Sequence, residues 1–169
     1  MSEGKPGLDL AIVGGTVVDG RGCPGSRADV GIAGERIVSV GKLGGGTRRT
    51  IDASGLVVAP GFIDVHAHDD LAVVQSPRLE FKVMQGVTTD VVGNCGMGVA
   101  PVSSAYRRYY GTFLASVLGE GADFGWTTTA EYYQAVERAG PSLNVACLVP
   151  HGLLRLAVMG MEPRPPSDS

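Results

Sequence analysis

Apolar and polar positions alternate along Leu8-Asp9-Leu10-Ala11-Ile12-Val13, a period of two that predicts a half-buried strand. Gly14-Gly15 is expected to turn the chain into a second short strand, Thr16-Val17-Val18-Asp19. Ala28-Asp29-Val30-Gly31-Ile32 predicts a further strand, the Gly34-Glu35 turn follows, and Arg36-Ile37-Val38-Ser39-Val40 returns. The stretch from Leu8 to Ile51 therefore reads as short strands joined as hairpins. The glycine-rich loop from Gly41 to Gly46 is followed by no Gly-Lys-Ser/Thr and opens no helix, so it is not read as a phosphate cradle.

The pattern changes at Leu56. A long apolar run, Leu56 to His68, predicts a buried strand. Pro77 to Gln85 is expected to be helical, with proline at an early position. Val87 to Val92 predicts a second buried strand, and Gly93-Asn94-Cys95-Gly96 follows it. Thr128-Thr129-Ala130-Glu131 has the spacing of a capping box and opens a helix through Arg138, which Gly140 caps and Pro141 stops. Asn144 to Val149 predicts a third strand, ahead of Pro150-His151-Gly152. Near-continuous apolar strands separated by helices predict an α/β fold with a parallel sheet covered by helices. The closing Pro165-Pro166-Ser167-Asp168-Ser169 resembles a turn and a helix N-cap with no helix after it. The expectation is the N-terminal piece of a longer protein; the alternative is a complete small open α/β domain.

Composition narrows the function classes. A chain of 169 residues with modest charge can bury a core, and 26 glycines imply many tight turns. The formal charge of −3, without a run of either sign, argues against nucleic acid as partner. No apolar segment is long enough to span a bilayer, and Met1 to Gly7 lacks the features of a signal peptide. Three widely spaced cysteines, Cys23, Cys95 and Cys147, do not suggest a disulfide framework, and a cytoplasmic location is expected.

The candidate chemistry lies at the strand ends. Only three histidines occur in the chain, and two of them are His66 and His68. Residues i and i+2 share a strand face, so Asp64, His66 and His68 are expected to point the same way. Two imidazoles converging beside Asp64, Asp69 and Asp70 suit a divalent metal, for which imidazole, thiolate and carboxylate are all competent ligands. The alternative is a pair of hydrogen-bonded histidines. Cys95 follows the next strand. In a parallel barrel, successive strand ends converge on one site, which would bring Cys95 close to both histidines. As a ligand it would bind as thiolate; a nucleophile with a histidine base, or a packing residue, are the alternatives. Cys23 and Cys147 are read as packing residues. His151 follows the third strand and could contact substrate, stabilise an oxyanion or simply be a hydrogen-bonded loop residue. Arg155 could bind a carboxylate or be an exposed or salt-bridged helix residue. Trp126, Tyr132, Tyr133, Tyr109 and Tyr110 are expected to pack a helix against the sheet.

The run Pro60-Gly61-Phe62-Ile63-Asp64-Val65-His66-Ala67-His68 resembles the first-strand motif of the amidohydrolase superfamily, whose members are (β/α)8 TIM barrels with metal at the C-terminal face of the sheet. Leu10 to Gly20 is similar to the opening of the small β-sandwich that precedes the barrel, and Ile51 to Val58 to the link into it. His68-Asp69-Asp70, Gly86-Val87-Thr88-Thr89, Gly93-Asn94-Cys95-Gly96 and Ala100-Pro101 narrow the likeness to the N-acyl-D-amino-acid deacylases, or D-aminoacylases. The likeness is weakest from Tyr106 to Asp123.

The resemblance implies part of a β-sandwich over residues 1–57 and barrel strands one to three over 58–169. It implies that His66 and His68 bind one metal position and Cys95 a neighbouring, tighter one, with one or two Zn²⁺ ions in all. The remaining ligands, two histidines and an aspartate that is also the general base, would lie beyond Ser169. The implied substrate is a small N-acyl-D-amino acid, with the missing C-terminal part of the same protein as the partner needed for activity. A cyclic-amide hydrolase of the same superfamily, like hydantoinase or dihydroorotase, and an inactive fragment are the alternatives.

Overall fold

β1 (Leu8–Val17) does not turn at Gly14-Gly15 but runs straight through. The expected turn is instead a bulge. Its register against β2 (Ser26–Ala33) passes from Ile12↔Val30 to Gly15↔Ala28, which leaves one extra residue on β1. Gly14 supplies the positive φ of 74° that the bulge needs, and its amide donates to Asp29 Oδ1 at 2.9 Å. β2 pairs antiparallel with β3 (Arg36–Gly41), the one hairpin of the expected pair that forms.

β4 (Thr47–Asp52) and β5 (Val57–Val58) both pair parallel with β1, giving the order β3-β2-β1-β4 with β5 beside the far end of β1. Thr47-Arg48-Arg49-Thr50 has no apolar alternation, so β4 carries no sequence signal of its own. The computed structural model describes residues 7–118 and 124–167. The leaderless start expected over residues 1–6 and the end of the expected C-terminal N-cap, residues 168–169, lie outside them, as do residues 119–123.

A first compact unit ends at Pro60, and a second begins at Gly61. The apolar run Leu56 to His68 is therefore not one strand. Val57–Val58 is β5 of the first unit, and only Phe62–Asp64 forms β6 of the second. Between them, Pro60 has no amide to donate to a ladder. The second unit continues with α1 (Ala72–Gln75), α2 (Glu80–Val83), β7 (Val87–Val92), α3 (Arg107–Leu118), α4 (Thr129–Ala139), β8 (Asn144–Cys147) and α5 (His151–Met159). The helix expected over Pro77 to Gln85 shrinks to α2. Leu79 sits at φ 44°, outside helical geometry, and the Pro77 carbonyl accepts from Ser142 N at 2.8 Å instead of from a helical amide.

β6, β7 and β8 form a parallel sheet in that order, as the alternation of strands and helices implied. β8 stops at Cys147, short of the expected Val149, although Leu148 N still donates to Val92 O at 2.9 Å. Helices do not cover the whole sheet: Phe62, Ile63 and Val65 are exposed. The core gathers Val73, Leu79, Val102, Leu114 and Leu153, all buried. A chain of tilted rings, Tyr110, Phe124, Trp126 and Tyr132, runs through it, and Trp126 Nε1 donates to Val99 O at 2.7 Å. Arg107 donates to the carbonyls of Phe124 and Trp126 and ties α3 to this cluster. The expected aromatic packing is present for Trp126, Tyr132 and Tyr110, with Tyr109 partly buried against the core and Tyr133 exposed.

The capping box of α4 is complete. Thr128 Oγ1 accepts from Glu131 N at 3.2 Å, and Glu131 Oε2 accepts from Thr128 N at 2.9 Å. Gly140 closes the helix in the left-handed region and donates to Val136 O at 3.1 Å. Among the described residues no helix is long and apolar enough to cross a membrane.

Candidate metal centre

Parallel pairing places the C-terminal ends of β6 and β7 side by side, with Asp64 opposite Asp90. Each end then turns. After β6 the chain passes through Val65-His66-Ala67-His68, and Ala67 N still donates to Val91 O at 3.1 Å. After β7 it makes a tight 3₁₀ turn at Asn94–Gly96. Gly93, Cys95 and Gly96 all have positive φ, at 80°, 57° and 72°. A Cβ on Gly93 would sit 2.6 Å from Leu148 O, so only glycine fits where β7 turns against the end of β8.

The two turns bring His66, His68 and Cys95 together, with their donor atoms all within 4.8 Å of one another. His66 Nε2 lies 3.1 Å from Cys95 Sγ. The two imidazole rings are 5.6 Å apart, centre to centre, at 64°. The histidines therefore converge through a bend beyond the strand rather than through strand alternation, because β6 ends at Asp64. Asp64, expected on the same face, faces elsewhere. Its Oδ1 accepts from His66 N at 3.1 Å and its Oδ2 from Lys82 Nζ at 2.6 Å.

Two nitrogen donors and one sulfur donor form a set suited to Zn²⁺, and three protein donors with a fourth position open are the pattern of catalytic zinc sites. His68 Nδ1 is buried without a hydrogen-bond partner. Burying an unpaired polar atom is costly, and orphaned polarity of this kind at a cluster of donors fits a cation site.

Beneath the cluster lies a set of charges that the sequence did not reveal. Lys82 of α2 reaches Asp64 at 2.6 Å, Asp69 at 2.8 Å and Asp90 at 3.4 Å. Burial opposes its charge, but the hydrogen bonds to Asp64 and Asp69 prevail and hold its pKa above the usual lysine value. The Lys82 hydrogen bond, helped by the His66 amide, holds the Asp64 carboxyl below the usual range. Asp90 is fully buried; desolvation pushes it up to about 6, against the pull of Lys82 and with repulsion from Asp69. Asp70 is also fully buried, and desolvation pushes it up to about 7 although the amides of Asp70 and Gly93 favour its charged form. The backbone carbonyl of Asp70 accepts from Tyr132 Oη at 2.9 Å, which anchors the segment after His68 to α4. The only hint of this in the sequence was an Asp-Asp pair directly after the histidines.

The remaining candidates lie apart from the three donors. His151 is exposed at the first position of α5. The start of that helix does approach the cysteine turn, since a Cβ on Gly96 would lie 3.2 Å from Gly152 N. Arg155 donates to the carbonyls of Glu162 and Arg164 at 2.8 and 3.4 Å and so braces the segment after α5 rather than a carboxylate. Cys147 is half-buried, and burial pushes its thiol up to about 11, as suits a packing residue. Cys23 is exposed, which corrects its reading as a packing residue: its Gly-Cys-Pro-Gly surroundings form a surface turn.

Known proteins resemble this chain. N-acyl-D-glutamate deacylase of Alcaligenes xylosoxydans xylosoxydans is 48% identical over 153 residues, 90% of this chain and 30% of that protein. D-aminoacylase of the same organism is 42% identical over 159 residues, 94% of this chain and 32% of its own length. Among solved structures, N-acyl-D-glutamate deacylase from Bordetella bronchiseptica, complexed with zinc and a phosphonate mimic of the tetrahedral intermediate, superposes with a TM-score of 0.81 at 42% identity. That match covers 96% of this chain and 33% of that one. The chain thus spans about a third of the length of these relatives. The amidohydrolase family profile matches residues 49–160, a span that holds both strand ends and all three donors. On that match the chain belongs to the amidohydrolase family.

Proposed function

We propose that this chain supplies the first metal-binding wall of a zinc-dependent N-acyl-D-amino-acid deacylase. In this reading residues 1–57 are part of a β-sandwich, and 58–169 carry strands one to three of a (β/α)8 barrel completed by the rest of the protein. The reaction is hydrolysis of a linear amide: N-acyl-D-amino acid and water give a carboxylate and a D-amino acid. The observation that carries the proposal is the meeting of His66, His68 and Cys95 at the ends of two neighbouring parallel strands, within 4.8 Å of one another. The relatives that share this segment support the linear-amide substrate class.

His66, His68 and Cys95 would hold the metal. Bound there, zinc would polarise the scissile carbonyl and lower the pKa of water toward neutrality. The protein's own residues do the positioning. Asp64 fixes the His66 backbone through its amide, and Lys82 fixes Asp64. His151, exposed at the start of α5, would contact the substrate or the developing oxyanion; the approach of that helix start to the cysteine turn supports this reading. The general base and the remaining ligands would come from outside this segment.

Cys95→Ala in the complete protein tests the reading. Zinc content should fall and hydrolysis of N-acetyl-D-glutamate or N-acetyl-D-methionine should be lost. A variant that keeps its zinc with unchanged affinity would refute the proposed ligand set.

A further inference from the structure

The three donors come from two separate turns, and one side chain joins those turns. Asn94 precedes Cys95 and is buried, at 7% exposure. Its Nδ2 donates to Val91 O at 2.7 Å and to Ala67 O at 3.2 Å. The first bond folds the turn back on the end of β7. The second crosses to the other turn and reaches the one residue that lies between His66 and His68. Ala67 is itself 4% exposed, and its amide donates to Val91 O at 3.1 Å. Both polar groups of the Ala67 backbone are thereby held by the end of β7 and its turn. The carbonyl of Ala67 belongs to the same rigid peptide plane as the His68 amide, so holding it sets the direction in which the His68 side chain departs.

We propose that Asn94 is a positioning residue of the metal centre: its amide locks the His66-Ala67-His68 segment against the Cys95 turn and fixes the spacing of imidazoles and thiolate. The inference rests on the reading of these three residues as metal ligands. Three other features favour a dedicated brace at this point. Gly93, Cys95 and Gly96 have left-handed backbones, and a turn built that way needs outside support to hold one shape. Met97 N donates to Asn94 O at 2.8 Å, so the backbone of the same residue closes the turn from the other side. A buried amide must also satisfy its donors, and here both bonds go to carbonyls of the two ligand-bearing segments. Partners that orient metal ligands from behind typically change metal affinity by about 10- to 100-fold when removed.

Cobalt(II) substitution in the complete protein tests the proposal, because the sulfur-to-cobalt charge-transfer band reports thiolate ligation directly. Asn94→Leu keeps the branched heavy-atom outline and removes both donors; Asn94→Gln keeps the amide on a longer arm. The expected result for Asn94→Leu is a shifted or weakened band and cobalt affinity lower by about 10- to 100-fold, with partial recovery in Asn94→Gln. Melting of the metal-free proteins separates this from plain destabilisation, which would lower the melting temperature and leave the band and affinity of the folded protein unchanged. That second pattern would overturn the inference while leaving the metal site intact. Should Asn94→Leu yield no folded protein, Asn94→Ser is read by the same two patterns. If the unsubstituted protein gives no thiolate band, the ligand assignment itself fails, and the role of Asn94 fails with it.

Discussion

Lys82 and Asp64 form an ion pair at 2.6 Å, and the other oxygen of the same carboxylate accepts the amide of His66. One contact therefore runs from an α2 side chain to the backbone of a candidate ligand. The Lys82 side chain is 15% exposed and Asp64 34%, and the same ammonium also reaches Asp90, which is fully buried. Burial makes the pair costly to break from one side, because the group left behind loses both its partner and its water.

Replacing Lys82 with methionine keeps the stem and deletes the ammonium that Asp64, Asp69 and Asp90 share. The expected loss of stability is about 3 kcal/mol, within the range seen when one partner of a buried pair is removed. Urea denaturation at neutral pH measures it. A midpoint equal to that of the unsubstituted chain would mean that the three carboxylates do not depend on Lys82.

Two carboxylates of this cluster oppose each other in their response to pH. Asp90 rises from 3.8 to about 6 on folding, so the folded chain holds its proton more tightly than the unfolded one. Its contribution is greatest below the unfolded value and is lost as pH rises through about 6. Asp64 is lowered on folding, so its contribution is present above the ordinary aspartate value and is lost as the solution is acidified. Asp90→Asn should therefore remove a downward component from stability between about pH 4 and 6, whatever its effect on absolute stability. Denaturation of metal-free protein across that interval gives the slope. Parallel curves for the two proteins would contradict the assignment.

Cys95 holds a left-handed backbone at φ 57°, which glycine adopts freely and other residues only at a cost. Cys95→Gly and Cys95→Ala both delete the thiol, but only glycine relieves the backbone. Without metal, Cys95→Gly should be the more stable of the two by about 1 kcal/mol. Thermal melts in chelator compare them, and equal stabilities would show that the turn is not strained at this residue.

Thr128 and Glu131 satisfy each other's backbone amides at the start of α4. Thr128→Ala should cost about 1 kcal/mol. The site lies outside the metal cluster, so metal affinity should not change. A fall in metal affinity at constant stability would mean that the cap reaches the centre through α4 and the Tyr132 bond to the Asp70 carbonyl.

The sequence was most legible where a local rule has one geometric outcome. The capping box at Thr128, the Gly140 cap and the Val87 to Val92 strand each follow from short-range chemistry. The approach of Cys95 to the histidines was also readable, because parallel strands must end on the same side; that His66 and His68 converge through a bend beyond β6, rather than by strand alternation, was not. Features that depend on the rest of the fold were less so. Gly14-Gly15 could signal a turn or a bulge, and pairing with β2 on one side and β4 on the other selects the bulge. Pro77 to Gln85 has helical spacing, but Pro77 O serves Ser142 and Leu79 leaves the helix region. Lys82 carries no mark in the sequence of the three carboxylates around it, which come from positions 64, 69 and 90. The role of Asn94 was hidden for the same reason, since its partner Ala67 lies 27 residues earlier.

His66 and Cys95 are 29 residues apart along the chain and 3.1 Å apart in space. A cation shared between them would act as a removable cross-link, closing one loop across the β6–β7 pair. A ligand that binds the folded form and not the unfolded one stabilises it by mass action. Under the proposed ligand assignment, folding of this segment and capture of its metal become a single equilibrium. The fraction of chains with β6 and β7 correctly paired would then rise and fall with the free metal concentration.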